Sequence, residues 1–207
     1  MRLYLDTTIL NDAFVLLQAV AGENLHARDF KLPPESWMLE YVALFYLLDL
    51  DDQWDLEFGT SSVARQEIDA FPERSDHHSH KKASLLELYE QIKTKAVLAE
   101  MSPIPISLRT RIAAILPAHK GKQADMVHIC QAILGGWDRF ITTDRDSILA
   151  YADELRDAGI IVASPLSFIE SQFMPMDVLV RTLHGSWTSV DDVVQSWLGQ
   201  IRDMIPK

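Results

Sequence analysis

Residues 122–148 read KQADMVHICQAILGGWDRFITTDRDSI and decide the fold class. A helix is predicted over 122–134, because apolar residues recur there and Gly135 and Gly136 then stop it. A short apolar strand over 140–142 follows and runs directly into an acid. A strand that follows a helix so closely is typical of the crossover connections in parallel sheets.

Predicted strands and helices also alternate along the chain on both sides of this stretch. Residues 2–6 predict a short strand that ends in an acid, and residues 9–20 predict a helix. Residues 73–82 are polar and are predicted as an exposed connection. The alternation indicates an α/β fold with a mainly parallel sheet. The other predicted elements are helices over 35–50, 63–70, 83–100, 108–116 and 146–158, strands over 56–58 and 160–163, and a helix that opens at Pro165.

The alternation stops after residues 174–175. Residues 176–183 and 190–204 have a helical pattern, with no strand between them. We therefore expect one α/β domain over residues 1–172 and a C-terminal helical extension over residues 173–207.

The composition is that of a globular protein with an acidic surface. Of the 207 residues, 48% are apolar and 24% are charged, and 19 Lys and Arg against 30 Asp and Glu give a net charge of −11. This apolar content excludes a disordered acidic tail, and no stretch approaches the ~18 apolar residues of a membrane helix. The early Asp6 argues against a signal peptide, and the single cysteine, Cys130, favours the cytoplasm. The acidic charge argues against nonspecific coating of nucleic acid, because it repels phosphates at long range.

Two acids follow predicted strands at the edge where parallel sheets bind ligands. Asp6 ends the first strand, and Asp144 follows the strand that ends in Thr-Thr. Asp125, in the first turn of a predicted helix, and Glu67, on another helix, are expected to join them. Asp146 is near enough in sequence to Asp144 to reach the same cavity.

Each of these acids alone has a simpler interpretation, as a helix cap, a first-turn residue or an Asx turn. Brought together, carboxylates repel one another, so that one takes up a proton or a cation binds. Oxygen ligands without several cysteines or a clear histidine pair favour Mg²⁺ or Mn²⁺ over zinc. Such ions activate water and stabilise the attacking and leaving oxygens of phosphodiester hydrolysis.

Four short motifs follow one another along the chain: LYLDTTIL at 3–10, SSVARQEIDAF at 61–71, ADMVHICQAILGGWDRFITTDRDSI at 124–148 and IIVASPLSFI at 160–169. No one motif is specific by itself, but the order and spacing of the four together are specific. Over roughly residues 1–170 the chain therefore resembles PIN-domain nucleases.

The resemblance implies a three-layer α/β/α sandwich and a metal-dependent endoribonuclease that leaves a 5′-phosphate and a 3′-hydroxyl. Thr142 or Thr143 matches the hydroxyl residue that orients the strand-end acid. Many small members resemble toxins of toxin–antitoxin pairs, although this chain is longer and has Thr7–Thr8 where toxins commonly carry Ser or Asn. The acids that match the family's motifs are Asp6, Glu67, Asp125 and Asp144, with Asp146 in an auxiliary position.

Three further residues are candidates for binding the substrate. Lys120 and Lys122 precede the helix of Asp125 and can attract a phosphate, and Thr143 adjoins the strand-end acid. His128 shares a helix face with Asp125, and a satisfied, partly buried histidine is the simpler interpretation. The partners expected are RNA, an inhibitory antitoxin protein and a second copy of the chain. Two alternative functions stay open: a PIN-fold scaffold or regulatory protein without catalysis, and a metal-dependent phosphatase.

Overall fold

The chain divides into two compact units. The first unit comprises residues 1–11 and 51–164, and the second comprises residues 12–50 and 165–207. The structure is a computed structural model, and it describes residues 1–20, 35–49, 55–95, 103–118, 121–175 and 178.

The predicted domain boundary after residue 172 falls inside the second unit. The helices predicted over 176–183 and 190–204 lie outside the described residues, apart from Val178. Within the described ranges, no helix is both long and apolar enough to cross a membrane.

Strands and helices alternate along most of the chain. Helix α1 begins in the first unit and continues into the second, which also holds α2 and α8. In chain order the elements are β1 (Arg2–Leu5), α1 (Thr7–Val20), α2 (Glu35–Asp49), β2 (Glu57–Gly59), α3 (Ser62–Asp69), α4 (Asp76–Lys95), α5 (Ile106–Ile115), α6 (Lys122–Leu134), β3 (Arg139–Ile141), a 3₁₀ turn (Leu149–Tyr151), α7 (Ala152–Asp157), β4 (Ile161–Ala163) and α8 (Pro165–Gln172).

The sheet of the first unit has four parallel strands in the order β2-β1-β3-β4. Tyr4 is in register with Gly59 on one side and with Phe140 on the other. The α/β class with a mainly parallel sheet is thus confirmed, and the elements are consistent with a three-layer α/β/α sandwich. After β2 the chain crosses to the other side of β1, so the gap between β1 and β3 is a topological switch point. Ligands of open parallel sheets bind at such points, outside the carboxyl ends of the strands.

A hydrophobic core of the first unit lies around β1, β3 and α6. Tyr4 stacks on Phe140 with ring centroids 5.2 Å apart and meets Trp137 edge-on at 5.9 Å. The Trp137 ring also covers Gly59, where an added Cβ would lie 2.0 Å from its Cη2 atom. Any larger residue at the end of β2 therefore displaces this tryptophan. The single cysteine, Cys130, is fully buried in the same core.

In the second unit, α2 packs against α8. The Leu166 backbone N–H donates to the Glu40 carboxylate at 2.9 Å, so that a side chain of α2 satisfies an orphan donor in the first turn of α8. Pro165 is the first residue of α8, as predicted from proline's preference for that position.

Two local predictions were wrong. Residues 73–82 are not one connection, because α4 begins at Asp76, where the Ser75 hydroxyl accepts from the His78 N–H at 3.3 Å and caps the helix. The predicted helix over 146–158 is a 3₁₀ turn over Leu149–Tyr151 followed by the short α7. The main-chain carbonyl of Asp144 accepts from the Leu149 N–H at 2.9 Å, which ties the turn before α7 to the end of β3.

Candidate active site

Asp6 lies at the end of β1 and is almost fully buried, with 3% of the residue exposed. Its backbone N–H donates to the Ile141 carbonyl at 3.1 Å, which extends the β1–β3 pairing by one residue. Its carboxylate accepts three hydrogen bonds, from the Thr7 N–H to Oδ1 at 2.7 Å and from the hydroxyls of Thr8 and Thr142 to Oδ2 at 2.8 and 2.7 Å. These donors replace the water that the buried carboxylate has lost.

Asp144 is held beside Asp6 by Thr142. The Thr142 hydroxyl donates to Asp6 and at the same time accepts from the Asp144 N–H at 3.0 Å. Oδ1 of Asp144 accepts from the Ser147 N–H at 2.8 Å, while Oδ2 has no hydrogen bond to any described residue. Of the two threonines that the sequence left open, Thr142 is the one whose hydroxyl contacts the strand-end acid.

Glu67 joins the same site through Thr7. The Thr7 hydroxyl donates to Oε2 of Glu67 at 2.5 Å, and the Thr7 N–H donates to Asp6. Nε2 of His128 lies 3.0 Å from the same Oε2 atom. Oε1 of Glu67 has no hydrogen bond to the described part of the chain, and about a third of this side chain, 36%, is exposed.

His128 is a fully buried part of this network. Its Nδ1 atom lies 2.7 Å from the Tyr4 hydroxyl and 3.4 Å from the hydroxyl of Ser61, which also accepts from the Val63 N–H and caps α3. The interpretation of His128 as a satisfied histidine agrees with this placement, but its contact with Glu67 had no signal in the sequence beyond the helix face shared with Asp125.

Burial and hydrogen bonding shift two pKa values in this network. Burial by itself raises the pKa of Glu67, but hydrogen bonds from His128 and Thr7 and electrostatic attraction to His128 outweigh it, so this pKa lies below its usual value of 4.5. Burial raises the pKa of Tyr4 well above its usual value of 10, against a lowering by the Ser61 hydrogen bond. The Tyr4 phenol therefore keeps its proton at neutral pH and can donate it.

The other predicted site residues that the structure describes lie at the start of α6 and in the segment after β3. Asp125 is half-buried in the first turn of α6, one turn before His128, and Asp146 is exposed beyond Asp144. The Lys122 ammonium donates to the Leu116 carbonyl at 2.7 Å, which ties the start of α6 to the end of α5.

Thr143 is buried, and its N–H donates to the Thr8 hydroxyl at 3.4 Å. Lys120 lies outside the described residues.

Hydrogen bonds thus connect three of the predicted acids, Asp6, Asp144 and Glu67, through two threonines. Asp146 has no hydrogen bond to these acids within the described part of the chain. In the described ranges, no group of three or more His, Cys, Asp or Glu side chains is placed to hold a metal ion. The acids are gathered at one edge of the sheet, with hydroxyls and an imidazole between them.

Asp6 and Asp144 have no cationic partner in the described residues, where neither forms an ion pair with Lys or Arg. Negative charge without a protein counter-ion attracts cations to this edge of the sheet.

A groove of about 870 Å³ between α3 and α6 has Glu67 on its wall. The amides of Gln66 and Gln123 and the apolar side chains of Val63 and Val127 also line it, and none of its lining residues in the described ranges is Lys or Arg. A basic lining would have favoured RNA over a small phosphorylated substrate, and the described lining is not basic.

The chain matches no protein-family model, no curated protein and no solved structure.

Proposed function

We propose that this protein is a metal-dependent endoribonuclease whose carboxylates at the ends of β1 and β3 hold Mg²⁺ or Mn²⁺. The observation that carries the proposal is the placement of Asp6 and Asp144 on either side of the Thr142 hydroxyl, at the switch point of a parallel sheet. Strand-end carboxylates at such a point are in the usual position for binding a ligand.

The chemistry of the donor atoms fits a hard divalent cation. Glu67 and Asp144 each keep one oxygen without a hydrogen bond to the described residues, and Oδ1 of Asp6 accepts only one. Carboxylate oxygens are the protein ligands that Mg²⁺ and Mn²⁺ prefer. In this proposal Asp6, Asp144 and Glu67 hold the ion, with Asp125 and Asp146 contributing from α6 and from the segment after β3. Mg²⁺ keeps several waters and needs only one or two carboxylates as direct ligands, so the other acids act through those waters, which is compatible with the lack of a three-residue group in the described ranges.

The hydroxyl residues hold the carboxylates in place. Thr8 and Thr142 fix Oδ2 of Asp6, and Thr7 links Asp6 to Glu67, so that these oxygens are oriented before an ion arrives. A bound divalent cation supplies a polarised phosphoryl oxygen and a coordinated water of lowered pKa.

RNA as the substrate is supported by the resemblance to PIN-domain nucleases, which also implies the 5′-phosphate and 3′-hydroxyl products. The net charge of −11 requires cations between the protein and the phosphates, which the metal ions of the proposal provide. A toxin role with an antitoxin partner, a homodimer and a cytoplasmic location are part of the same proposal.

The experiment is a cleavage assay with single-stranded RNA in Mn²⁺, in Mg²⁺ and in a chelator. We expect cleavage with either metal and none with the chelator. The Asp144→Asn variant should lose cleavage, because the amide removes the negative charge but keeps the size. Asp153→Asn is the matched control, since Asp153 is exposed and pairs only with Arg156 in the described chain.

Full cleavage by Asp144→Asn, or equal cleavage with the chelator, would contradict the proposal. Hydrolysis of a small phosphomonoester without RNA cleavage would favour the phosphatase instead. Neither activity in a folded wild-type protein would favour the scaffold function.

A further inference from the structure

A chain of three side chains runs from the sheet core to the half-exposed edge of the site. The Tyr4 hydroxyl lies 2.7 Å from Nδ1 of His128, and Nε2 of the same imidazole lies 3.0 Å from Oε2 of Glu67. Tyr4 and His128 are fully buried, with 1% and 0% of each residue exposed. An imidazole with a partner at each nitrogen has a fixed orientation.

The chemistry of the carboxylate sets the direction of the hydrogen bond to Glu67. A carboxylate only accepts, so Nε2 carries a proton and donates to Glu67. Nδ1 lies on the opposite side of the ring, 2.7 Å from the Tyr4 hydroxyl, which holds the imidazole from behind. The Ser61 hydroxyl, 3.4 Å from Nδ1, lies on the same side of the ring and does not change this direction.

Two donors converge on one oxygen of Glu67. The Thr7 hydroxyl, at 2.5 Å, and His128 Nε2 both contact Oε2, while Oε1 accepts no hydrogen bond from the described residues. A carboxylate held through one oxygen presents the other in a fixed direction. Metal-binding carboxylates are commonly fixed by such outer hydrogen bonds, and their loss typically weakens metal affinity by about 10- to 100-fold.

We infer that His128 is a positioning residue for Glu67, fixed by Tyr4 from behind, and that it presents Oε1 of Glu67 to a divalent cation. This inference depends on the proposed metal site but goes beyond the acids themselves. It gives a role to a buried histidine and to a tyrosine whose hydroxyl lies in the sheet core.

The test is calorimetric titration of the full chain with Mn²⁺ at one fixed pH. Tyr4→Phe removes only the hydroxyl and keeps the ring that stacks on Phe140. His128→Leu removes both hydrogen bonds, whereas the side-chain amide of His128→Gln can still donate to Glu67. We expect His128→Leu to weaken Mn²⁺ binding by about 10- to 100-fold, Tyr4→Phe to weaken it less, and His128→Gln to recover most of the loss.

A double-mutant cycle separates positioning from a general loss of structure. In the Glu67→Gln background, His128→Leu should cause no further loss of Mn²⁺ affinity, because the oxygen it orients is no longer a carboxylate. An equal loss in both backgrounds, or wild-type affinity in His128→Leu and Tyr4→Phe, would overturn the inference while the metal site itself remained.

A second measurement does not depend on metal binding. Nitrogen-15 NMR of the wild-type imidazoles should show a proton on Nε2 of His128, and the His128→Gln spectrum assigns its signals. A ring without a proton on Nε2 would overturn the inference. A wild-type protein that binds no Mn²⁺ would overturn the proposed metal site together with the positioning role.

Discussion

Asp6 and Asp144 share a single hydroxyl, Oγ1 of Thr142, which donates to the carboxylate of the first and accepts from the backbone N–H of the second. The two acids are far apart in sequence, yet the pairing of β1 with β3 brings them to one edge of the sheet. The geometry of this edge depends on Thr142.

Thr142 and Thr60 form a natural pair for measuring that dependence. Both follow strands and both are buried, but the Thr60 hydroxyl has no hydrogen-bond partner among the described residues. Thr142→Val should lower the free energy of unfolding by about 1–3 kcal/mol, since it removes one of the three donors to the buried Asp6 carboxylate and leaves the Asp144 N–H without its acceptor.

Thr60→Val, the matched control, should be neutral or stabilising, because it replaces an unpaired hydroxyl with a methyl group. Denaturant titration of both variants measures the difference. Equal losses at the two positions would contradict the assigned role of Thr142.

The Trp137 ring covers Gly59 and leaves no room there for a side chain. Gly59→Ala places a Cβ 2.0 Å from the Cη2 atom of Trp137, so the ring must move, and we expect a loss of about 1–3 kcal/mol in the free energy of unfolding. The Trp137→Phe variant loses packing by itself but makes room for the methyl group. The double variant should therefore lose less stability than the sum of the two single variants, and strict additivity would contradict the overlap.

Glu67 makes stability depend on acidic pH. Burial alone raises its pKa, but hydrogen bonds from His128 and Thr7 lower the pKa in the folded protein below the usual 4.5. Its contribution to stability is therefore complete above about pH 4.5 and is lost as the pH falls through the folded pKa. Glu67→Gln should flatten the pH dependence of the unfolding free energy below that pH, by a modest amount because solvent screens the half-exposed carboxylate.

Unfolding curves at a series of acidic pH values test this. The same slope in the wild type and in Glu67→Gln would show that the pKa of Glu67 is not lowered on folding.

Cys130 should be unreactive in the folded protein. It is fully buried, and burial raises the pKa of its thiol to about 11, so that little thiolate forms at neutral pH. A thiol reagent that gives a coloured product should report no free thiol in the native protein and one per chain after denaturation, since the chain has one cysteine. Rapid labelling of the native protein would contradict the packing of α6 against the sheet.

The fold class was accessible to sequence reasoning because periodicity and helix-stop signals are local. The helix over 122–134 was predicted with the bounds that α6 has, since Gly135 ends it. The start of α4 was missed because polar residues hid a cap at Ser75, and the interrupted helix after β3 was missed because periodicity does not separate a 3₁₀ turn from an α-helix.

The meeting of Asp6 and Asp144 was expected from the common edge of parallel strands, whereas the order of the strands was not predicted. Thr142 could not be separated from Thr143, because adjacent residues after a strand face opposite sides and only the pairing of β3 with β1 shows which hydroxyl meets Asp6. The links from Thr7 and His128 to Glu67 join residues that are far apart in sequence, and no local pattern encodes such contacts.

The central claim is that the carboxyl ends of β1 and β3 bind a divalent cation. Anomalous diffraction from crystals soaked in Mn²⁺ tests it most directly. We predict an ion within coordination distance of both Asp6 and Asp144. A fully occupied Mn²⁺ elsewhere, with none between these two carboxylates, would contradict the account.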